Sequence, residues 1–414
     1  MKEIRTVRGV NDLLPGNMDK HIKIKEVGSK ICKLFCYEEI DTPIFEFSDL
    51  FSKPLGETSD IVTKENYVFK DRSNNSLMLR PEGTTSVVRA LINGGLTQDL
   101  PQRFFYSGPM FRYERPQKGR LRQFNQFGAE LIGVDNFYGD VEVINLAYNF
   151  LKNINLINNI TLYINSLGDN QSRNNYRNVL VSYLKKFEKD LSTESKIRLQ
   201  SNPLRILDSK NKTDQAILKN SPKYFDYLNN ESRSYYENVC NSLTKLGIPF
   251  KQDEKLVRGL DYYSHTTFEF KTSLLGAQDT VVAGGRYDGL SKMISNYSLP
   301  GVGWAAGIER LALMVQSEFV NKTDVVLIGQ TENFNYLLLP IMKELIQQGI
   351  KTEIIYTGNL SKKFKRANKI NASYAIVLGE EEIYKKKLKL KNLTSGIEQL
   401  LNLKQVIKKI KNNY

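Results

Sequence analysis

The first hydrophobic pattern in the chain is helical. Between residues 18 and 36, apolar side chains recur at intervals of three and four, as at Ile24, Val27 and Ile31. That spacing places them on one face of a helix. The pattern ends before Pro43, which restricts the residue before it to an extended conformation. We therefore predict a helix followed by an extended segment.

Strand-like patterns follow in two stretches, from Tyr67 to Leu79 and from Phe104 to Ile132. Aromatic and β-branched residues dominate both stretches, and polar turns at 71–75 and 115–122 interrupt them. Strands joined by connections this short pair with their neighbours in antiparallel orientation. The pattern therefore predicts an antiparallel sheet rather than parallel strands linked by helices.

The middle of the chain returns to helical spacing. From Ser166 to Leu246, apolar and aromatic residues such as Tyr176 and Leu180 step along helical faces. This segment is predicted to be a mainly helical insertion. Strand-like sequence resumes at 281–283 and again at 302–307.

In the last part of the chain, strand-like and helical segments follow each other in a different order. After a polar joint at 321–323, apolar runs alternate with helical segments, which predicts a small parallel α/β domain. We therefore divide the chain into residues 1–320, which contain the antiparallel sheet and the insertion 166–246, and residues 321–414.

The composition limits the available chemistry. The chain has 414 residues, 41% of them hydrophobic, and no stretch approaches the ~20 consecutive apolar residues that span a bilayer. We expect a cytoplasmic protein without a membrane segment. Three cysteines and two histidines, His21 and His265, are too few for a disulfide framework or a multi-histidine zinc site, and they weaken a Ser-His-Asp mechanism. No metal centre is expected.

The net charge of +14 is unevenly distributed. Residues 321–414 hold 17 Lys and Arg against 8 Asp and Glu, whereas the rest holds 42 against 37. A basic terminal domain is typical of an enzyme with a nucleic-acid-binding appendage. Candidates for phosphate contacts are Lys362, Lys363, Lys365 and Arg366. Charge alone leaves open the alternative of a solvated lysine-rich surface.

Two common nucleotide-binding motifs do not explain this sequence. The chain has no G-x-x-x-x-G-K-[ST] loop. Gly301, Gly303 and Ala306 match the spacing G-x-G-x-x-A, but no predicted buried strand precedes them. We interpret that match as coincidental.

A stronger candidate is the run RFFYSGPMFRYERPQKGRLRQFNQFGAELIG, residues 103–133. On a strand, Arg112 and Glu114 would point to the same face. A guanidinium can hold a phosphate through two hydrogen bonds, and a carboxylate can accept from the amino group of adenine. Taken alone, the pair could equally be a cross-strand ion pair on a solvated face.

Four further segments bear on these alternatives. They are R-P-E-G-T-T (80–85), L-V-R-G-L-D-Y-Y (256–263), A-G-G-R-Y-D-G-L (283–290) and G-V-G-W-A-A-G-I-E-R-L-A-L-M (301–314). With the run 103–133, they resemble the class II aminoacyl-tRNA synthetases, and within that class the histidyl-tRNA synthetases. The resemblance covers nearly the whole chain. It implies an α+β fold, in which an antiparallel sheet is flanked by helices and carries a helical insertion, with a C-terminal α/β anticodon-binding domain.

The resemblance also implies a reaction. The carboxylate of L-histidine attacks the α-phosphorus of ATP to give histidyl-adenylate and pyrophosphate, and the 3′ end of tRNA(His) then accepts the histidyl group. ATP enters with Mg²⁺, and no prosthetic group is implied. Because the attacking carboxylate is already ionised, catalysis is mainly positioning and charge neutralisation, which suits arginines better than a general base.

The matched motifs assign roles to individual residues. The implied catalytic residues are Arg112, Arg258 and Arg310. The implied ATP-binding residues are Arg112, Glu114, Phe124 and Arg310. The implied histidine-binding residues are Glu82, Gly83, Thr84, Gln126, Glu130, Arg258, Tyr262 and Tyr263. The implied tRNA-binding residues are Arg115, Gln117 and Arg120.

Two alternatives stand beside this interpretation. A non-catalytic regulatory subunit that resembles histidyl-tRNA synthetase would keep the fold but lose the catalytic arginines and the anticodon domain, which this sequence retains. A synthetase for proline, threonine or glycine should lack L-V-R-G-L-D-Y-Y. By the same resemblance, the segment around Pro43 is a dimer motif, so a homodimer is expected.

Overall fold

The computed structural model describes residues 3–55, 62, 64–257, 262–276, 279–316 and 323–412. The chain forms two compact units, residues 1–316 and 317–414. The boundary expected between residues 320 and 321 lies outside the described residues. Within the described ranges, no helix combines the length and the apolar composition that crossing a membrane requires.

The first unit is built from strands and helices that alternate irregularly along the chain. Its strands are β1 (Glu38–Glu39), β2 (Phe45–Phe47), β3 (Val68–Lys70), β4 (Ser76–Leu79), β5 (Gln102–Phe111), β6 (Gln123–Ile132), β7 (Thr161–Ser166), β8 (Phe250–Gln252), β9 (Ser264–Lys271), β10 (Thr280–Arg286) and β11 (Gly301–Gly307). Its helices are α1 (Asn17–Leu34), α2 (Asp49–Leu55), α3 (Thr84–Asn93), α4 (Phe137–Asn153), α5 (Asn170–Lys185), α6 (Thr193–Ser201), α7 (Lys212–Leu218), α8 (Asn230–Lys245), α9 (Leu290–Ile294) and α10 (Ile308–Met314).

Among the described residues, eight of these strands form one sheet in the order β1-β5-β6-β11-β10-β9-β7-β8. Neighbours from β5 through β7 are antiparallel, whereas the two edge pairs, β1 with β5 and β7 with β8, are parallel. Strands β2, β4 and β3 form a second antiparallel sheet. The predicted antiparallel α+β fold is confirmed.

The two faces of the large sheet differ because side chains alternate along each strand. On β6, Phe127, Ala129 and Leu131 belong to an apolar core shared with α1 and α4. Gln126 and Glu130 alternate with them and point to the opposite face. Close packing on one face therefore fixes the positions of the polar groups on the other.

The strand-face argument for Arg112 and Glu114 is wrong, because β5 ends at Phe111. The Arg112 amide donates to the carbonyl of Arg122 at 2.9 Å, and the Glu114 amide donates to the carbonyl of Arg112 at 2.7 Å. The chain therefore turns before the charged loop. This turn, rather than the pleat of a strand, determines where the two side chains point.

Helices α5 to α8 lie between β7 and β8 in the chain. Their packing uses Tyr176, Leu180 and Leu184, whose spacing predicted a helix and whose side chains are buried. Because these side chains share a core with residues of β5 and α3, the helical segment and the large sheet are in direct contact.

A buried carboxylate fastens part of this helical segment. Asp214 accepts hydrogen bonds from the hydroxyl groups of Ser192 at 2.7 Å, Ser195 at 2.7 Å and Ser209 at 2.6 Å. Burial acts to raise the pKa of Asp214, but these hydrogen bonds and one from the Ser192 amide outweigh it and lower that pKa. The carboxylate is therefore most stable in its ionised form.

The second unit contains a sheet in the order β13-β12-β14-β15-β16. Its strands are β12 (Val325–Gly329), β13 (Thr352–Ile354), β14 (Tyr374–Leu378), β15 (Leu388–Asn392) and β16 (Glu398–Leu401), and its helices are α11 (Asn335–Gln347), α12 (Leu360–Lys369), α13 (Glu380–Tyr384) and α14 (Leu403–Lys411). The first three strands are parallel, as predicted. Strands β15 and β16 are antiparallel, so the unit is mixed rather than purely parallel.

One residue of the basic helix α12 differs from expectation. Lys363 is fully buried, and its ammonium group donates to the carbonyl of Gly329 at 2.9 Å. Burial lowers the pKa of Lys363. It is therefore not available for a phosphate contact, whereas Lys362 and Lys365 are exposed.

Candidate active site

A cavity of about 300 Å³ opens on the polar face of the large sheet. Strands β6, β9, β10 and β11 line it, together with the start of α3, the charged loop 115–122 and α10. The residues singled out by the sequence motifs that line it are Glu82, Thr84, Arg112, Glu114, Arg120, Phe124, Gln126, Tyr262, Tyr263 and Arg310. Segments far apart in the chain therefore converge on one cleft.

Three guanidinium groups come together at one end of the cavity. Arg310 donates from Nη1 to the carbonyl of Thr280 at 2.6 Å and from Nε to the carbonyl of Gly119 at 3.1 Å. Burial lowers the pKa of Arg310, and the positive charges of Arg120 and Arg112 lower it further. Like charges held this close to one another indicate a site for a polyanion.

A carboxylate and an aromatic ring lie among these cations. Glu114 forms an ion pair with Arg120, and its carboxylate is 4.0 Å from Nη1 of Arg112. The Arg112 guanidinium lies 5.3 Å from the ring centroid of Phe124 and donates from Nε to the carbonyl of Pro81 at 2.9 Å. An acceptor beside an aromatic face suits a flat heterocycle that carries an amino group.

Another part of the cavity wall presents acceptors. The two carboxylate oxygens of Glu82 accept from the amides of Thr84 at 2.7 Å and Thr85 at 2.9 Å, at the start of α3. Gln126 is buried, and its side-chain oxygen has no hydrogen-bond partner within the described part of the chain. An unpaired buried acceptor costs free energy until a donor reaches it. An ammonium group would supply that donor.

Glu130 lies behind the wall of the cavity. It is fully buried, and its carboxyl group accepts from the hydroxyl groups of Thr84 at 2.7 Å, Tyr287 at 2.7 Å and Tyr106 at 3.5 Å. Burial raises the pKa of Glu130 to about 8, and the charge of Glu82 adds to the rise, while the hydrogen bonds oppose it. The group therefore changes its protonation state close to neutral pH.

Two glycines permit close approaches around this carboxyl group. Gly303 is the cross-strand neighbour of Glu130, and a Cβ atom there would overlap the Glu130 carboxylate. A Cβ atom at Gly83 would overlap the ring of Tyr106. Gly83 therefore packs against Tyr106 rather than lining the cavity.

The remaining predicted site residues lie elsewhere. Arg115 and Gln117 are exposed on the charged loop and do not line the cavity. Gln117 and Arg120 exchange two backbone hydrogen bonds of 2.9 Å across the loop tip. Arg258 lies outside the described residues.

Several residues that line the cavity received no role from the sequence, among them Thr280, Glu269 and Tyr287. Thr280 donates to the carboxylate of Glu269 at 3.2 Å beside Arg310, and Tyr287 contacts Glu130. The sequence around Glu269 could have identified it as a site residue, because this carboxylate alternates with buried aromatic residues on a strand. Tyr287 stands within A-G-G-R-Y-D-G-L, but that motif does not reveal which partner its hydroxyl group has.

Comparison with known proteins identifies the family of the chain. The family model described as histidyl-tRNA synthetase matches residues 9–311, and the model described as anticodon binding domain matches residues 323–413. The histidine–tRNA ligase of Rhodospirillum rubrum is 48% identical, with 97% of each chain covered, and that of Gluconobacter oxydans is 46% identical, with 96% of each covered. The apo crystal structure of S. aureus histidyl-tRNA synthetase is 33% identical and matches with a TM-score of 0.82, covering 99% of this chain and 100% of the other. The chain therefore belongs to the histidyl-tRNA synthetase family.

Proposed function

We propose that this chain activates L-histidine with ATP and then transfers the histidyl group to tRNA(His). The observation that carries the proposal is the convergence of Arg112, Arg120 and Arg310 on a cavity whose wall also presents buried acceptors, those of Glu82 and Gln126. The cations suit a triphosphate, and the acceptors suit a small ligand with ammonium and ring N–H groups. Membership of the family supports the same activity.

At the cationic end, Arg112 binds the α-phosphate and Arg310 the γ-phosphate of ATP. Both guanidinium groups are already held by backbone carbonyls, those of Pro81 and Thr280. Positive charge that needs no reorganisation stabilises the negative charge that develops as the histidine carboxylate attacks the α-phosphorus and pyrophosphate leaves. The resemblance to the family adds Arg258, which would reach the α-phosphate and the histidine carboxylate.

The adenine ring stacks on Phe124, and its amino group donates to Glu114. Since Arg120 forms an ion pair with Glu114 in the structure, ATP must replace that pair, and Arg120 then turns to the phosphates. Mg²⁺ enters as part of the ATP substrate, because it prefers phosphate oxygens and retained waters with one or two carboxylates. Glu269, which lines the cavity and forms an ion pair with Lys271 at 3.2 Å, is a carboxylate that suits this role.

Among the acceptors of the cavity wall, Glu82, Thr84 and Gln126 bind the α-amino group of histidine. Tyr262 lines the pocket, while Tyr263 and Glu130 pair with the two imidazole nitrogens. The hydroxyl groups around Glu130 hold its carboxyl group in one orientation, which favours a ring with matching N–H geometry. An amino acid without those ring nitrogens would leave buried polar groups unpaired.

Transfer RNA contacts both units in this proposal. The exposed side chains of Arg115 and Gln117 meet the acceptor end, close to the cavity. The second unit binds the anticodon, and α12 presents the exposed cations Lys362, Lys365 and Arg366 for phosphate contacts. A cytoplasmic location suits this partner, and the three cysteines are free thiols, which suits a reducing compartment.

A homodimer accounts for the apolar surface of the three-stranded sheet. Phe45 and Phe47 lie on the same face of β2, and their side chains are 55% and 63% exposed. The ring of Phe69 on β3 lies 6.3 Å from that of Phe45. Aromatic side chains grouped on one exposed surface indicate a site of protein association. The second copy of the chain is the partner that the expected dimer motif around Pro43 supports.

Amino-acid-dependent exchange of pyrophosphate into ATP tests the proposed function. We expect exchange with histidine, and with purified tRNA(His) we expect histidine to be attached to the tRNA. Absence of exchange with every amino acid would favour the regulatory-subunit alternative. Faster exchange with proline, threonine or glycine would assign the chain to another synthetase.

A further inference from the structure

A fully buried arginine, Arg286, directly precedes Tyr287, which lines the cavity. Arg286, the last residue of β10, has partners for all five N–H groups of its side chain. Its Nε and Nη2 donate to Oδ2 of Asp140, the former at 3.0 Å. Its Nη1 donates to Oδ1 of Asp288 at 3.0 Å and to the carbonyl of Val134 at 2.8 Å. Its Nη2 also donates to the carbonyl of Asn136 at 3.2 Å. A buried charge with this many partners holds the surrounding chain in one arrangement.

The cluster positions Tyr287, because two of its charged members flank this residue in the chain. Asp288 accepts from the amide of Gly301 at 3.1 Å, and the amide of Tyr287 donates to the carbonyl of Gly301 at 2.7 Å. The Tyr287 hydroxyl then donates to Oε2 of Glu130 at 2.7 Å. A displacement of Arg286 would therefore reach the Tyr287–Glu130 hydrogen bond through a single peptide linkage.

Tyr235 joins the cluster from α8, the last helix of the helical segment. Its hydroxyl donates to Oδ2 of Asp140 at 2.7 Å. Its ring centroid lies 5.7 Å from the guanidinium carbon of Arg286 and 4.8 Å from the ring of His265. Tyr235 thus holds the carboxylate and also packs against the cation that this carboxylate binds. Its side chain lies outside the lining of the cavity.

We propose that Tyr235 is a positioning residue for histidine recognition, acting through Asp140 and Arg286 to direct the Tyr287 hydroxyl at Glu130. The inference rests on the proposed function, which pairs Glu130 with the imidazole ring. It gives the helical segment a part in amino-acid selection. Without the Tyr235 hydroxyl, Asp140 loses one of its donors and the Arg286 guanidinium has room to shift.

The test compares Tyr235→Phe with the matched control Tyr236→Phe. The neighbouring Tyr236 is also on α8, but its hydroxyl donates to the carbonyl of Ile164 at 3.3 Å and does not touch the cluster. We expect Tyr235→Phe to raise KM for histidine in pyrophosphate exchange by about 5- to 20-fold. The inhibition constant of histidinol should rise by a similar factor, since it retains the imidazole ring. KM for ATP should stay within about twofold in both variants, as should KM for histidine in the control.

A rise in KM for histidine without a rise in KM for ATP distinguishes a positioning role from a general loss of structure. Parallel changes in the KM values for histidine and ATP would overturn the inference, as would equal effects of Tyr235→Phe and Tyr236→Phe. If Tyr235→Phe does not fold, Asp140→Asn keeps the side-chain shape and is measured in the same way, with the same split expected. Lack of histidine-dependent exchange in the unsubstituted chain would instead refute the proposed function.

Discussion

Replacing Glu130 with glutamine should stabilise the ligand-free chain at alkaline pH while weakening histidine binding. Burial raises the pKa of Glu130 from an ordinary 4.5 to about 8. The folded state therefore holds this proton more tightly than the unfolded state. The contribution of protonated Glu130 to the free energy of unfolding is fully present below pH 4.5 and is lost as the pH rises through about 8. Glutamine does not ionise, so Glu130→Gln avoids this loss.

The size of the effect follows from the linkage between pKa and stability. A pKa difference of one unit corresponds to ~1.36 kcal/mol. The rise of the Glu130 pKa therefore makes full ionisation cost about 3–6 kcal/mol of folding free energy. Between pH 6 and pH 8, the advantage of the glutamine variant should grow by about 2–3 kcal/mol.

Fluorescence of Trp304 provides a suitable assay. It is the sole tryptophan of the chain and is buried in the core of the first unit, so the second unit does not contribute to the signal. Urea unfolding is followed for both proteins at several pH values from about 6 to about 9, and the free energies of unfolding are compared. KM for histidine is measured in parallel by pyrophosphate exchange.

We expect the stability difference to increase up to about pH 8 and then to level off, as the two-state linkage requires. Histidine KM should rise by about 10- to 100-fold, because the amide presents a donor where the ring needs an acceptor. A stability difference that remained constant between about pH 6 and about pH 9 would show that Glu130 titrates normally in the folded chain. That result would refute the argument from burial.

The other predictions concern phosphate binding, the helical segment, the terminal unit and the dimer. Arg310→Ala should lower kcat/KM for ATP in pyrophosphate exchange by about 10²- to 10³-fold, while calorimetry should find histidine affinity nearly unchanged; equal losses for both ligands would contradict the role at the phosphates. Asp214→Asn should lower the free energy of unfolding by about 1–3 kcal/mol at neutral pH. Because the pKa of Asp214 is lowered in the folded chain, this loss of stability should be present above pH 3.8, the ordinary pKa, and should shrink as the pH falls through the folded pKa. A loss that did not depend on pH in urea titrations would contradict an ionised Asp214 in the folded chain. Removal of residues from Asn321 onward should lower the rate of tRNA(His) charging more than the rate of pyrophosphate exchange. Equal losses of the two rates, with the first unit still folded, would count against anticodon binding. Phe47→Glu should shift the sedimentation coefficient from that of a dimer towards that of a monomer, and an unchanged coefficient would place the interface elsewhere.

Local patterns predicted the elements whose periodicity was strong. Helix α1 begins and ends within two residues of the predicted segment, because its apolar spacing and the proline that follows are both local signals. Strands β15 and β16 were not predicted, although β15 carries the alternation of apolar and polar residues that is typical of a strand. In β15, lysines alternate with Leu388 and Leu390, but the run is short, and its pairing with β14 and β16 is seen only in the tertiary structure.

The candidate site was predicted in part, and partly for a wrong geometric reason. The motifs singled out Arg112, Glu114 and Arg310, which do meet at one cavity. The expected strand face is absent, however, and a turn after Phe111 brings the first two together. Tyr287 received no role, because its significance depends on a hydrogen bond to a residue 157 positions away in the chain.

The sequence alone determined the helical or strand-like character of its strongly periodic stretches, the cationic bias of the terminal domain and the motifs of the family. The tertiary structure decided which charges are buried and which of them face each other. It placed Lys363 in a core, Glu130 behind the cavity and three guanidinium groups beside one another. The physical reason is that burial and charge proximity depend on contacts between distant segments, whereas periodicity and turn chemistry depend on neighbours in the chain.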